Sequence, residues 1–385
     1  MSLFSKKPTK RLELVFDIES DSVCAAIVLY EASKAPRIVY HAESEVARKS
    51  HTDGAYLSRN MWKALESVAS NAQAAMPALM EKKLIERAHA DRIHVVLSSP
   101  WIISRLSCVE KTFEKETIVR RPALADLLEK ERSASAQMFA VGDSAAIDAK
   151  IFEVKINGYP VADYEGKRAK TLEGTMVVSF ASRTMLREIK SRINRFFRAS
   201  DEAFHSALIL RYAALRSALP HHSDYIWLQV HGELTDILVV RQGACAISGS
   251  LPFGSDTLAR KFAAATGESD ATAASSLTLY DDSSNTTPAM DRTGSVLENI
   301  MQEWTQGISG IISAGGGTAL PSMAYVSAGH FSSAFEQALK KSSPAASIVR
   351  SDPSIMAPFV EYAPSVSPDL SASLYSAALP LSRKL

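Results

Sequence analysis

No stretch of this 385-residue chain stays apolar for the roughly eighteen residues that a bilayer-spanning helix needs. The basic start places Lys6, Lys7, Lys10 and Arg11 around Leu3 and Phe4. No long apolar core follows it, so it lacks the form of a signal peptide. A solvated tail is the favoured reading, ahead of a segment grazing an anionic membrane. Cysteine is scarce: Cys24, Cys108 and Cys245 lie far apart, without a C-x-x-C pair or a His-rich run. That spacing excludes a disulfide framework, and the three are expected to be small buried residues in a reducing cytoplasm. A net charge of +1 argues against a nucleic-acid surface. His221 and His222 have no carboxylate or cysteine at ligand spacing, and no G-x-S-x-G or Ser/His/Asp grouping is found.

What is present is globular material, 46% hydrophobic. It is too long for one ordinary core and suits two related domains with an insertion. One stretch runs from Trp227 to Asp236: an apolar run, a polar turn carrying His231, Gly232, Glu233 and Leu234, then Thr235-Asp236 opening a second apolar run to Val240. The turn can offer backbone N–H groups to phosphate oxygens, and Asp236 can hold a hydrated metal beside them. An ordinary hairpin with a polar tip explains the same letters. A second copy, Leu14 to Val28, again has an acidic turn between apolar runs, with Asp17 at the end of the first. Two such hairpins suggest a duplicated domain with a cleft between the halves. A third element, Met323 to Phe331, is a strand ending in small residues at a helix start, a further candidate nucleotide contact.

These segments resemble the actin-like ATPase superfamily, and within it the FtsA/PilM branch. Asp17-Ile18-Glu19-Ser20-Asp21-Ser22-Val23 is similar to the family's first phosphate loop. Gln229-Val230-His231-Gly232-Glu233-Leu234-Thr235-Asp236 is similar to the second. Pro252-Phe253-Gly254-Ser255 resembles its P-x-G-G turn, and Ala328-Gly329-His330 its adenosine motif. Asn157-Gly158-Tyr159-Pro160 and Gly166-Lys167 look like the hallmark of the small subdomain unique to FtsA and PilM. The resemblance implies a two-domain, ribonuclease H-like α/β fold with a small inserted α+β subdomain. The expected division is 1–100 with a return segment 178–222, an insertion at 101–177, and a second domain at 223–385. It implies ATP or ADP with Mg2+, lined by Asp17, Ser20, Ser22, Gly232, Glu233, Thr235, Asp236, Gly254, Ser255, Gly329 and His330. Asp17 and Asp236 would act on the metal through its bound water.

The departures are informative. Gln229 stands where the family places a metal-organising aspartate, and Glu19 and His231 replace glycines that let phosphate approach the backbone. A carboxylate at Glu19 repels phosphate unless a metal intervenes. Nucleotide binding with weak or absent hydrolysis is the expectation, and no catalytic residue is identified.

Strands are expected at 12–18, 23–30, 36–43, 92–98, 101–110, 149–156 and 169–180. A helix near 54–87 should break or kink at Pro77. Pro122 suits a helix start, with Leu124, Leu127 and Leu128 on one face. Ser182 to Phe197 is amphipathic: Met185, Leu186, Ile189, Ile193, Phe196 and Phe197 face Arg183, Arg187, Lys190, Arg192 and Arg195 across the helix. Asp256 is expected to cap the next helix. Residues 266–295 read as an exposed loop containing a solvated Asp281-Asp282 pair. Gly315-Gly316-Gly317 reads as a helix C-cap, and a last helix is expected over Pro368 to Leu379.

A sugar or acetate kinase would need a catalytic base, which is not found, and a heat-shock-type chaperone would need a long peptide-binding domain after the core. The favoured reading is a cytoplasmic, PilM-like scaffold of a type IV pilus machine. It would dock the cytosolic tail of an inner-membrane assembly protein and reach the membrane through that partner, with self-association left open. An FtsA-like division scaffold and a slow ATPase of the same superfamily stay open. The short segment after Pro380 favours the PilM-like side, because FtsA-like chains continue into an amphipathic membrane helix.

Overall fold

The computed structural model describes residues 10–47, 53–138, 143–198, 201–282, 288–317, 319–350, 355, 357–366, 374 and 377–378. The tail residues Leu3, Phe4, Lys6 and Lys7 lie outside them, as does most of the helix expected over Pro368 to Leu379. In chain order the elements begin with β1 (Lys10–Ile18), β2 (Ser22–Glu31), β3 (Arg37–Glu45), α1 (Gly54–Glu81) and β4 (Arg92–Leu97). Next come β5 (Ile102–Ile118), α2 (Arg121–Met138), β6 (Ser144–Ile156), β7 (Tyr159–Pro160) and β8 (Arg168–Ser182). They are followed by α3 (Arg183–Ile193), β9 (Glu202–Ser206) and α4 (Ala207–Ala218). The chain continues with β10 (Tyr225–Val230), β11 (Thr235–Arg241), β12 (Ala244–Leu251), α5 (Ser255–Thr266), α6 (Asp270–Asp282) and α7 (Pro288–Ala314). Last are β13 (Met323–Ala328), α8 (Ser332–Ser342), β14 (Ser347–Arg350) and β15 (Glu361–Tyr362). Two compact units result: Met1–Ser98 with Arg187–Leu219 and Ser351–Leu385, and Ser99–Leu186 with Pro220–Arg350.

The first unit is built on a six-stranded sheet in the order β15-β3-β2-β1-β4-β9. β1, β2 and β3 form an antiparallel meander, while β4 and β9 continue it in parallel. Leu12 to Ile18 and Val23 to Tyr30 are buried without alternation, as strands covered on both faces must be. α1 packs on β2 and β3 through Leu57, Met61, Leu65, Val68, Ala72, Met76 and Leu79. Val15, Ala26, Val28 and Tyr30 share a core with Ala207, Leu210 and Ala214 of α4. Asp53 starts α1 by accepting the Tyr56 N–H at 2.5 Å, and the helix runs unbroken through Pro77 to residue 81. The expected break at Pro77 is absent. β15 pairs in parallel with β3, so 361–362 joins this unit, whereas the expected boundary placed it in the second domain.

α3 buries Ile189 and Ile193 as its apolar stripe requires. Its basic face is met within the chain: Lys190 lies 3.3 Å from Glu202, Arg192 stacks on Trp62 at 4.8 Å, and Arg195 lies 3.3 Å from Glu66.

The second unit carries a five-stranded sheet, β12-β11-β10-β13-β14, and a four-stranded one, β5-β8-β6-β7. The core of the larger sheet gathers Ile226, Leu228, Ile237 and Val239 with Phe262, Trp304, Ile308 and Phe335. α6 corrects the loop reading of 266–295, because Ala273 and Leu277, one turn apart, both enter this core. Low aliphatic content hid a helix that needs only two anchors to dock. The C-cap at Gly315 to Gly317 holds, with the Gly317 N–H on the Ile312 carbonyl at 2.8 Å and Gly316 at φ +80°.

In the smaller sheet α2 covers one face through Leu124 and Leu127, against Val154, Leu172 and Met176. Asn157 and Gly158, at φ 52° and 82°, turn β6 into β7 in the primed geometry that Asn-Gly favours. The Asn157 carbonyl oxygen Oδ1 then accepts the Lys170 and Thr171 N–H groups at 2.8 and 3.0 Å. Cys108 on β5 is exposed, which corrects the expectation for one of the three thiols. Cys24 and Cys245 are buried, and burial pushes the Cys245 thiol up to about 12.

Candidate functional site

In the first unit, β1 ends at Ile18 and β2 begins at Ser22, so Glu19, Ser20 and Asp21 make the turn. The Glu19 N–H closes it on the Ser22 carbonyl at 3.0 Å, and the Val46 N–H bonds the Asp21 carbonyl at 2.7 Å. Asp17, 1% exposed, faces Arg211 of α4, whose Nη2 is 3.6 Å away. The same nitrogen donates to Glu19 Oε1, and Nη1 donates to Ser98 Oγ at 3.2 Å. Arg211 is itself 2% exposed. One buried guanidinium thus neutralises Asp17 at the end of β1 and Glu19 in the turn. Removing either sign alone would leave an uncompensated charge in a low dielectric. On the same sheet face, burial brings the His41 imidazole down to about 4.

In the second unit, β10 ends at Val230 and β11 begins at Thr235, with His231, Gly232, Glu233 and Leu234 between them. The His231 N–H bonds the Leu234 carbonyl at 2.8 Å. Asp236 stands opposite Gln229 in the ladder and accepts from His231 Nε2 at 3.2 Å and from Ser250 Oγ at 2.5 Å. Burial pushes its carboxyl up, but bonds from His231, Ser250 and Ser99 outweigh it and hold the group below the usual carboxylate range. Glu233 is held by a forked pair to Arg260 of α5, at 2.9 and 2.5 Å. Thr235 is fully buried, its hydroxyl donating to the Phe253 carbonyl and accepting from Trp304 Nε1. Both partners of its hydroxyl therefore come from the protein itself.

Gly254 is the N-cap of α5, and Asp256 lies inside the first turn, displaced from the capping role expected of it. A Cβ at Gly254 would lie 2.2 Å from the His231 carbonyl oxygen and 2.4 Å from that of Gly232. This close approach lets the Ser255 and Asp256 N–H groups bond those same two carbonyls, at 2.9 and 2.8 Å. The first N–H groups of a helix are its anion-binding donors; here the β10–β11 turn takes two of them.

Gly329 and His330 follow β13, whose end pairs with the end of β10 through Val230 and Ala328. The exposed Gly329 and half-buried His330 lead into α8. Its N-terminal Ser333 N–H bonds Asp281 Oδ1 of α6 at 2.6 Å. Asp281 is therefore a helix cap rather than a solvated loop residue. Within the first unit the turn gathers Asp17, Ser20 and Ser22. Within the second, one corner gathers Gly232, Glu233, Thr235, Asp236, Gly254 and Ser255, and Gly329 and His330 adjoin the β10 end.

Arg211, Arg260 and Ser250 were not read from the sequence. Arg211 left a signal: it stands inside the apolar run Ala207 to Leu215, where a lone charge implies a buried partner.

No family model matches the chain, and no curated protein matches it. Among solved structures it is similar to the PilM–PilN type IV pilus biogenesis complex, at 14% identity and a TM-score of 0.62, covering 98% of both chains. It is also similar to a Bacteroides thetaiotaomicron protein with an actin-like ATPase fold and unknown function, at 10% identity, 98% coverage of both chains and a TM-score of 0.39. The chain has the actin-like ATPase fold, in its PilM-like form.

Proposed function

We propose that this chain is a PilM-like docking scaffold of a type IV pilus machine, binding the cytosolic tail of an inner-membrane assembly protein. The observation that carries the reading is the end-to-end likeness to the PilM–PilN complex, at a TM-score of 0.62. The inserted sheet supplies a surface suited to a partner: Ile103 is 54%, Ile118 48% and Tyr159 74% exposed. Exposed apolar and aromatic side chains on one subdomain are the usual anchors of an interface. No helix among the described residues is long and apolar enough to cross a membrane, so attachment through a partner is the route proposed.

ATP or ADP with Mg2+, the ligand implied by the resemblance, fits poorly with these residues as arranged. A metal at Asp17 competes with Arg211, and one at Asp236 competes with His231 and Ser250. Two helix donors are engaged by the turn. No catalytic step is derived, and the output proposed is docking with negligible turnover. Titration calorimetry with Mg2+-ATP is expected to give weak or no binding. Tight binding abolished by Asp236→Ala would restore a nucleotide-driven scaffold.

Affinity capture from solubilised membranes tests the docking. Wild-type protein is expected to recover a pilus membrane protein, and Ile103→Asp with Ile118→Asp to weaken that recovery at least about tenfold, as loss of anchors does. Circular dichroism checks the variant's fold. Equal recovery by the variant would remove the insertion's role, and recovery of a division-ring tubulin homologue would favour the FtsA-like reading.

A further inference from the structure

β2 and β3 run antiparallel with Cys24 opposite Glu43 and Ala26 opposite His41. Residues opposite one another share a sheet face, and so do residues two apart on one strand. Cys24, His41 and Glu43 therefore stand on one face, although 17 and 19 residues of sequence number separate the cysteine from its neighbours. One ligand atom from each, the thiol sulfur, an imidazole nitrogen and a carboxylate oxygen, lies within 4.8 Å of the other two. Tetrahedral zinc, with bonds of about 2.0–2.3 Å, sets its ligands roughly 3.5 Å apart.

We propose that Cys24, His41 and Glu43 form a binding site for a zinc-class divalent ion, with one coordination position open to water. Four further observations support it. Nε2 of His41 is buried and makes no hydrogen bond among the described residues, an expense that a ligand would remove. The Cys24 sulfur lies within 4.8 Å of a Glu43 carboxylate oxygen, so the proton that must leave on metal binding has an acceptor beside it. The metal displaces it from sulfur to solvent and takes its place between the two groups. The Ser22 hydroxyl favours the charged form of the Glu43 carboxyl, the kind of outer influence that supports a ligating carboxylate. Glu43 is exposed and Cys24 is buried, which gives the ion an access route on one side and a dry ligand on the other.

The donor set decides the metal class. A thiolate and an imidazole favour zinc over magnesium or calcium, which prefer oxygen ligands. Such an ion would staple β2 to β3 beside the turn that carries Glu19.

The test uses the full chain, stripped with a chelator, dialysed, and titrated with Zn2+ alone by calorimetry. One ion per chain is expected. Cys24→Ser, His41→Gln and Glu43→Gln should each lower the affinity by at least the roughly 10–100-fold lost when a supporting partner is removed. Co2+ provides a second readout: a thiolate-to-metal charge-transfer band, present in wild-type protein and in Glu43→Gln at higher metal, and absent in Cys24→Ser. Glu43 is a surface residue, so its variant keeps the fold and the test stays interpretable if the buried Cys24→Ser chain is unstable. Absence of Zn2+ binding at micromolar concentration would overturn the site. So would binding that is unchanged in Glu43→Gln and Cys24→Ser, which would place the ion on other histidines.

Discussion

Replacing Arg211 by alanine is expected to destabilise the first unit by about 3–5 kcal/mol, the loss usual when one partner of a buried ion pair is removed. The variant leaves Asp17 at the end of β1 and Glu19 in the turn, both buried, without their shared cation. Against total stabilities of about 5–15 kcal/mol, this is a change that urea denaturation resolves as a lower midpoint at unchanged slope. The companion Glu19→Gly, Arg211→Ala should recover part of the loss, because one of the stranded carboxylates is gone and only Asp17 remains uncompensated. Additive losses in the double variant would show that Arg211 and Glu19 do not act as a pair. The same double variant clears the turn, so Mg2+-ATP should bind it more tightly than it binds the wild-type chain. Unchanged nucleotide affinity would mean that Arg211 does not guard that surface.

Gly254→Ala is expected to be comparably costly, for a steric reason. The new methyl would meet two backbone carbonyl oxygens at 2.2 and 2.4 Å, and neither can rotate away as a side chain would. The β10–β11 turn and the start of α5 must part. That costs about 1–3 kcal/mol of overpacking and about 1 kcal/mol for each of the two hydrogen bonds lost. Thermal unfolding followed by circular dichroism measures it. A midpoint within a degree or two of wild type would show that the two segments are not held as tightly as these distances require.

Much of the architecture was legible because local rules agree with the tertiary outcome. Unbroken apolar runs made β1, β2, β10 and β11 recognisable, Asn157-Gly158 marked its hairpin, and the apolar stripe marked α3. The errors have physical sources as well. Pro77 does not interrupt α1, whose buried residues on both sides of it, Ala72, Met76 and Leu79, keep the helix on the sheet. Residues 266–295 were too polar to suggest a helix, yet Ala273 and Leu277 suffice to anchor α6. The hydroxyl of Thr235 is held by Trp304, 69 residues later, a partner that local sequence does not show.

By itself the sequence determined the two hairpins, since each depends on apolar runs and turn chemistry within a few residues, and the α/β class followed from the resemblance those segments carry. Only the tertiary structure decided what the polar side chains do. Arg211 reaches Glu19 across 192 positions, Asp281 caps a helix 52 positions on, and Cys24, His41 and Glu43 meet only through the β2–β3 register. A charged group takes its role from the partner that shares its low-dielectric surroundings, and that partner is chosen by the fold rather than by its neighbours in sequence.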